Sequence, residues 1–193
     1  LIAVPVGLMT SIYLVEYGRG RIAKGITFFV DVMTGIPSIV AGLFAYAVFA
    51  IFLGPGIRMG IMGSIALAVL MIPVVVRSSE EMLRLVPMDL REASYALGIP
   101  KWKTIVKIVL PTSVSGILSG VTIAIARVIG ETAPIMVTAG FAKTLNWNLF
   151  SGWMSTLPTF IYDSQLRPVS PGAAALASSE RAWAAALVLV VLV

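Results

Sequence analysis

The sequence predicts an all-α fold, a polytopic membrane helical bundle, and three observations carry that expectation. Hydrophobic residues make up 59% of the 193 and charged residues only 12%, against roughly 25% charged in a soluble domain. The mean hydropathy is +0.99, more apolar surface than one core of this size can hide, so lipid must cover the rest. Uncharged stretches recur at 1–15, 32–57, 59–76 and 108–126, comparable to the roughly 20 residues a helix needs to cross about 30 Å of hydrocarbon.

Taken in order, these stretches place spans at about 1–17, 26–53, 59–77, 108–134 and 181–193 of a single transmembrane domain. The chain opens on Leu1 without Met, and its apolar run 182–193 stops abruptly, so both outer spans are expected to be truncated. Pro37 predicts a kink in the second span, where Ser38 can satisfy freed backbone groups, and Pro73 does the same in the third. Gly56 with Gly60, and Gly116 with Gly120, are small residues four apart and predict close helix contacts.

Composition also excludes chemistry. With no Cys and no His, the chain cannot build a zinc site from those ligands, a disulfide framework, or a triad that uses either residue. No catalytic residue, metal or cofactor is expected. The net charge of +5 reads as membrane orientation rather than nucleic-acid binding, because of where the basic residues fall. The first and third loops hold Arg19, Arg21, Lys24, Arg77, Arg84, Arg91, Lys101, Lys103 and Lys107, whereas the opposite side has Arg58, Lys143, Arg167 and Arg181. An excess of Lys and Arg marks cytoplasmic loops. The turn at Gly54, Pro55 and Gly56 and a connection at 142–180 are then external. That connection holds Trp147, Phe150, Trp153, Phe160 and Tyr162, rings that suit a membrane interface or, alternatively, a partner surface. Its later part, 164–179, is rich in Pro, Ala and Ser and reads as a mobile loop. Asp31 reads as interfacial, and Glu80 with Glu81 as a solvated helix face.

The third loop, 78–107, exceeds the roughly 2 to 8 residues of an ordinary helix connection. Pro87 suits a first helical position, Asp89 favours the positive end of the helix dipole, and Gly98 supplies a left-handed stop, framing a helix of about ten residues. Leu90, Ala93 and Leu97 fall on one of its faces. Pro100 then opens a second short helix in which Lys101, Lys103 and Lys107 alternate with Trp102, Ile105 and Val106, a pattern suited to a headgroup surface.

Glu92-Ala93-Ser94, Gly98, Ile108 and Leu110-Pro111, at their spacing, resemble the EAA motif of bacterial ABC-importer permeases, with Ser94 where that family most often has Ala. The resemblance implies a cytoplasmic coupling helix in which Glu92, Ala93, Ser94 and Gly98 engage an ATPase subunit. An interfacial anchor without a partner is the alternative. The chain has no Gly-x-x-x-x-Gly-Lys-Ser/Thr phosphate loop of its own, so ATP hydrolysis is expected on a separate subunit.

Arg127 and Glu131 lie four apart in the fourth apolar segment and can pair on one helix face. A central intramembrane Arg costs roughly 2.5–3.5 kcal/mol on insertion scales and should face a cavity or a protein partner. As one helix the stretch 108–141 is about 51 Å long, beyond the hydrocarbon thickness. Pro134 predicts a break, because it cannot bond the carbonyl of Gly130 and its ring crowds that carbonyl. Broken helices beside charge commonly line transport pathways.

Arg127-Val128-Ile129-Gly130-Glu131-Thr132-Ala133-Pro134, with Gly35-Ile36-Pro37-Ser38-Ile39-Val40 and Ala182-Trp183-Ala184, resemble the PstA-type permease family of bacterial phosphate importers. That resemblance implies a substrate route at Arg127 and Glu131, and Thr132 beside them is a further candidate for the pathway. A static packing pair is the alternative for Arg127 and Glu131. It further implies a bacterial inner-membrane protein that handles phosphate beside a second permease subunit, ATPase subunits and a periplasmic phosphate-binding protein. Two rival functions remain at this point: a permease for another oxyanion such as sulfate or molybdate, and an ATP-independent secondary transporter or channel.

Overall fold

The computed structural model describes residues 1–166 and 173–193; Arg167 and residues 168–172 of the Pro-rich segment lie outside them. Every element among the described residues is helical: α1 (Ala3–Ile12), α2 (Arg21–Thr34), α3 (Ser38–Leu53), α4 (Gly60–Arg84), α5 (Met88–Ala96), α6 (Lys101–Thr104), α7 (Leu110–Ile129), α8 (Ala133–Thr138), α9 (Leu157–Leu166) and α10 (Ala173–Leu192). Wider π turns extend α1 over Tyr13–Tyr17 and join α6 to α7 over Ile105–Val109. Gly60–Arg84, Lys101–Ile129 and Ala175–Leu192 are each long and apolar enough to cross a membrane.

The chain divides into two compact units, Leu1–Gly35 with Met71–Ile125, and Ile36–Leu70 with Ala126–Val193. In the first, Leu83, Val86, Val109 and Ile117 form a core against which Leu8, Ile12 and Val15 of the first helix pack. A second cluster joins Leu14, Val30 and Val76. Gly116 and Gly120 let α7 approach α4 closely: a Cβ on Gly116 would lie 2.7 Å from Met82 Cγ, and one on Gly120 would lie 2.6 Å from Ser78 Cβ. This pair therefore makes a contact within the chain. Of the other expected pair only Gly60 is closely approached, a Cβ there lying 3.1 Å from Leu149 Cδ2. Gly56 sits in a turn at φ +86° with open space around it, ahead of the helix that begins at Gly60.

In the second unit α3 packs on α8, and α9 on α10. Gly42 permits the first contact, since a Cβ there would stand 2.6 Å from Pro134 Cα. The segment after α8 is tied down by backbone bonds: Met154 donates to Ala139 at 3.1 Å and Ile61 to Leu149 at 2.8 Å.

Several expectations change. The stretch 26–53 is not one kinked helix: α2 ends at Thr34 and α3 starts at Ser38, with Pro37 extended at φ −58°, ψ 136°. Proline also biases the preceding Ile36 away from the helical region, so the interruption is complete. By contrast α4 runs unbroken through Pro73. The Lys101 helix is not a separate piece of an elbow but the first turn of one continuous segment, Lys101–Ile129. Its π turn, in which Leu110 N–H reaches back to the Ile105 carbonyl, relieves the crowding that Pro111 would impose on a regular α-helix. The stretch 142–180 is not a single loop, because α9 and the start of α10 lie within it. Glu80 is no solvated residue either. It is 6% exposed and held by Arg77 at 2.9 Å and Arg84 at 2.8 Å, charges that offset its desolvation. Asp31 pairs with Arg77.

Candidate functional site

The two groups of residues that the sequence marks as functional occupy two different places. The first is the break between α7 and α8. The α-helix ends at Ile129, Glu131 N–H bonds the Val128 carbonyl at 3.2 Å, and α8 resumes at Ala133 with Pro134 in its first turn. Proline is favoured there because its missing N–H would be unbonded in any case. Arg127 stands on the last turn of α7, where a cation complements the helix dipole, and its side chain is exposed. Glu131 is half-buried.

These two charges do not pair. The ion pairs among the described residues are Arg77 with Asp31 and Glu80, Arg84 with Glu80, and Arg91 with Glu16. The four-residue spacing brings side chains together only on a continuous helix, and the helix stops between these two. Thr132 lines a cavity of about 600 Å³ together with Gly130, Ala133, Met136, Tyr162 and Leu189, most of it apolar. At the far end of α8, Arg58 donates to the Met136 carbonyl at 2.8 Å and stacks on Trp153 with 5.0 Å to the ring centroid.

The second place is α5 and the turn after it. Pro87 takes the position ahead of the helix at ψ 142°, and Asp89 sits in the first turn. Gly98 adopts φ +75°. Its N–H bonds the Tyr95 carbonyl at 2.9 Å, and Ile99 N–H bonds Ser94 at 3.2 Å, the pair of bonds that closes a helix around a left-handed glycine. Glu92 and Ala93 are exposed, and so are Leu90 and Leu97 of the apolar stripe. The inward face is Arg91 and Ser94. Ser94 Oγ lies 2.8 Å from Thr104 Oγ1, both buried, a contact that an alanine could not make.

Sequence reasoning missed the residues that seat this helix. Arg91, 6% exposed, donates from Nη1 to the Val86 carbonyl at 2.7 Å, from Nη2 to Leu83 at 3.0 Å, and from Nη2 and Nε to Glu16 Oε1 at 3.0 and 3.2 Å. Lys101 donates to the Glu16 carbonyl and lies over the Tyr17 ring. A lone acid ending an apolar stretch was the available signal for Glu16, but nothing local names its partner 75 residues away.

Apolar helices, one of them broken beside a charge, and a short capped helix turning its apolar stripe outward suit a membrane component of a transport system. Residues 3–193 match the family described as binding-protein-dependent transport system inner membrane component, and the chain belongs to that family. It is a multi-pass protein of the bacterial plasma membrane. Among its relatives, the phosphate transport system permease protein PstA 1 of Mycobacterium tuberculosis (strain CDC 1551 / Oshkosh) is 51% identical over 193 residues, covering all of this chain and 61% of that protein. The phosphate transport system permease protein PstA of Mycobacterium leprae (strain TN) is 52% identical over 193 residues, again all of this chain and 61% of the relative. The chain thus spans about three fifths of the length of these relatives. A chain of the inward-facing MetNI methionine ABC transporter, in its CY5 native crystal form, superposes with a TM-score of 0.70 at 20% identity, covering 99% of this chain and 79% of that one. That likeness establishes the fold.

Proposed function

We propose that the chain is the membrane-spanning permease subunit of an ATP-driven importer that moves inorganic phosphate into the cytoplasm. It works beside a second permease subunit, ATPase subunits and a periplasmic phosphate-binding protein, and it catalyses no reaction itself. The observation that carries this reading is identity of 51% and 52% to the two mycobacterial phosphate permeases across all 193 residues.

The geometry supports a division of labour. Arg127, exposed and without a carboxylate partner among the described residues, offers a planar fork matched to two phosphate oxygens. Thr132 adds a hydroxyl across the break, and Glu131 is the alternative partner that takes Arg127 when the segment closes without substrate. On the cytoplasmic side the ATPase meets the outward face of α5, with Glu92 and Ala93 at the contact and Ser94 and Gly98 holding the helix in place. Nucleotide-driven motion of the ATPases then switches the membrane helices between two packings.

The test is ATP-dependent uptake by the assembled complex in proteoliposomes, phosphate against sulfate. Phosphate uptake that Arg127→Ala abolishes and Arg127→Lys impairs, with subunit assembly intact, is the expected result. Preference for sulfate, or uptake without any ATPase, refutes the reading.

A further inference from the structure

We infer that Arg91 and Glu16 form a permanent latch that makes α5 and the first apolar helix, Ala3–Tyr17, one mechanical body, so that α5 drives two apolar helices rather than one. The inference rests on the proposed coupling role of α5 and adds the route that its motion takes.

Within α5 only Arg91 and Ser94 are buried. A push delivered to the outward face of α5 therefore leaves through those two side chains. Ser94 leads to Thr104 and so to the continuous helix Lys101–Ile129. Arg91 leads elsewhere, to Glu16 in the π turn that ends the first helix.

The Arg91 contact has the properties of a rigid joint. Its guanidinium spends donors on three acceptors from two other segments, Glu16 and the carbonyls of Leu83 and Val86. Glu16 and Arg91 side chains are 5% and 8% exposed, so separating them would strand two charges away from water, which is strongly unfavourable. Lys101 grips the Glu16 carbonyl from the second side, at a helix end where carbonyls lack intrahelical donors. Leu8, Ile12 and Val15 seat the same helix on the core around Leu83 and Val86, so a displacement of its end is carried along its length.

The experiment uses the absence of Cys from the chain. In the assembled complex, Arg91→Met is expected to leave ATPase co-purification and ATP hydrolysis in place while phosphate transported per ATP falls roughly tenfold, a size within reach of a broken coupling contact. The double variant Glu16→Cys/Arg91→Cys is expected to be uncoupled likewise, and bridging the two thiols with a short bismaleimide is expected to restore transport. Restoration requires that residues 16 and 91 keep their separation throughout the cycle. Unchanged transport per ATP in Arg91→Met overturns the latch, and so does a bridged variant that stays inactive, even if the single variant fails to assemble. Both measurements are ratios to the unsubstituted complex. If that complex itself takes up no phosphate with ATP, the proposed function fails, a different outcome from failure of the latch.

Discussion

Replacing Gly42 by alanine drives a methyl group into the backbone of α8. The added Cβ would stand 2.6 Å from Pro134 Cα, 3.0 Å from its Cβ and 3.1 Å from its carbonyl oxygen. The closest of these is about 0.8 Å short of an ordinary van der Waals contact. Neither party can yield by rotating a side chain: Pro134 is cyclic and buried, and Gly42 lies inside α3. Relief requires α3 and α8 to separate, and overpacking of this kind costs about 1–3 kcal/mol. For a chain of this length each kcal/mol lowers the melting temperature by roughly 2–4 °C. Gly35→Ala is the control, because a Cβ there meets nothing nearer than the Val32 carbonyl at 3.6 Å and the backbone is in the right-handed helical region. Thermal unfolding of the two variants in the same detergent should place Gly42→Ala clearly below Gly35→Ala. The displacement also moves Pro134 and the break it sets, so phosphate uptake should drop with it. Melting temperatures within about 1 °C of each other would refute the reasoning, since the clash is worth more than that.

Other outcomes follow from single contacts. Ser94→Ala leaves the fully buried Thr104 hydroxyl without its partner and should cost about 1–3 kcal/mol, whereas adding Thr104→Val should recover most of it; a double-mutant cycle on melting curves measures the difference. Gly98→Ala forces φ +75° on a residue with a Cβ, at about 1–2 kcal/mol, and should reduce ATPase co-purification by loosening the end of α5. Glu80→Ala leaves Arg77 and Arg84 without the carboxylate they share and should lower the melting temperature more than Glu81→Ala, whose side chain is exposed.

What the sequence made legible was local. Gly98 could be read as a helix stop because only a residue without Cβ tolerates its φ cheaply, and Pro134 as a break because the missing N–H is a property of one residue. The all-helical, apolar character was legible from the uncharged stretches, but the interruption between α2 and α3 was not. Pairings were not. Arg127 and Glu131 have the spacing of an ion pair, but spacing matters only if the helix is continuous, and the same Pro134 that was read correctly removes that continuity. The burial of Glu80 was within reach, since Arg77 and Arg84 flank it at three and four residues. The Glu16–Arg91 contact was not, because two segments 75 residues apart meet only after the core has formed.

The π turn over Ile105–Val109 also sets the phase of everything beyond it. A wide turn takes up one extra residue, so the helix beyond it faces as a regular α-helix lacking that residue would, each residue otherwise advancing the face by about 100°. Gly116 and Gly120 point at Met82 and Ser78 because the turn absorbs that residue. Deleting one position there would close the turn to a regular one and keep the notched side of α7 on α4, whereas straightening it at unchanged length would swing that side away. Ile105–Val109 should therefore tolerate the loss of one residue better than the gain of one.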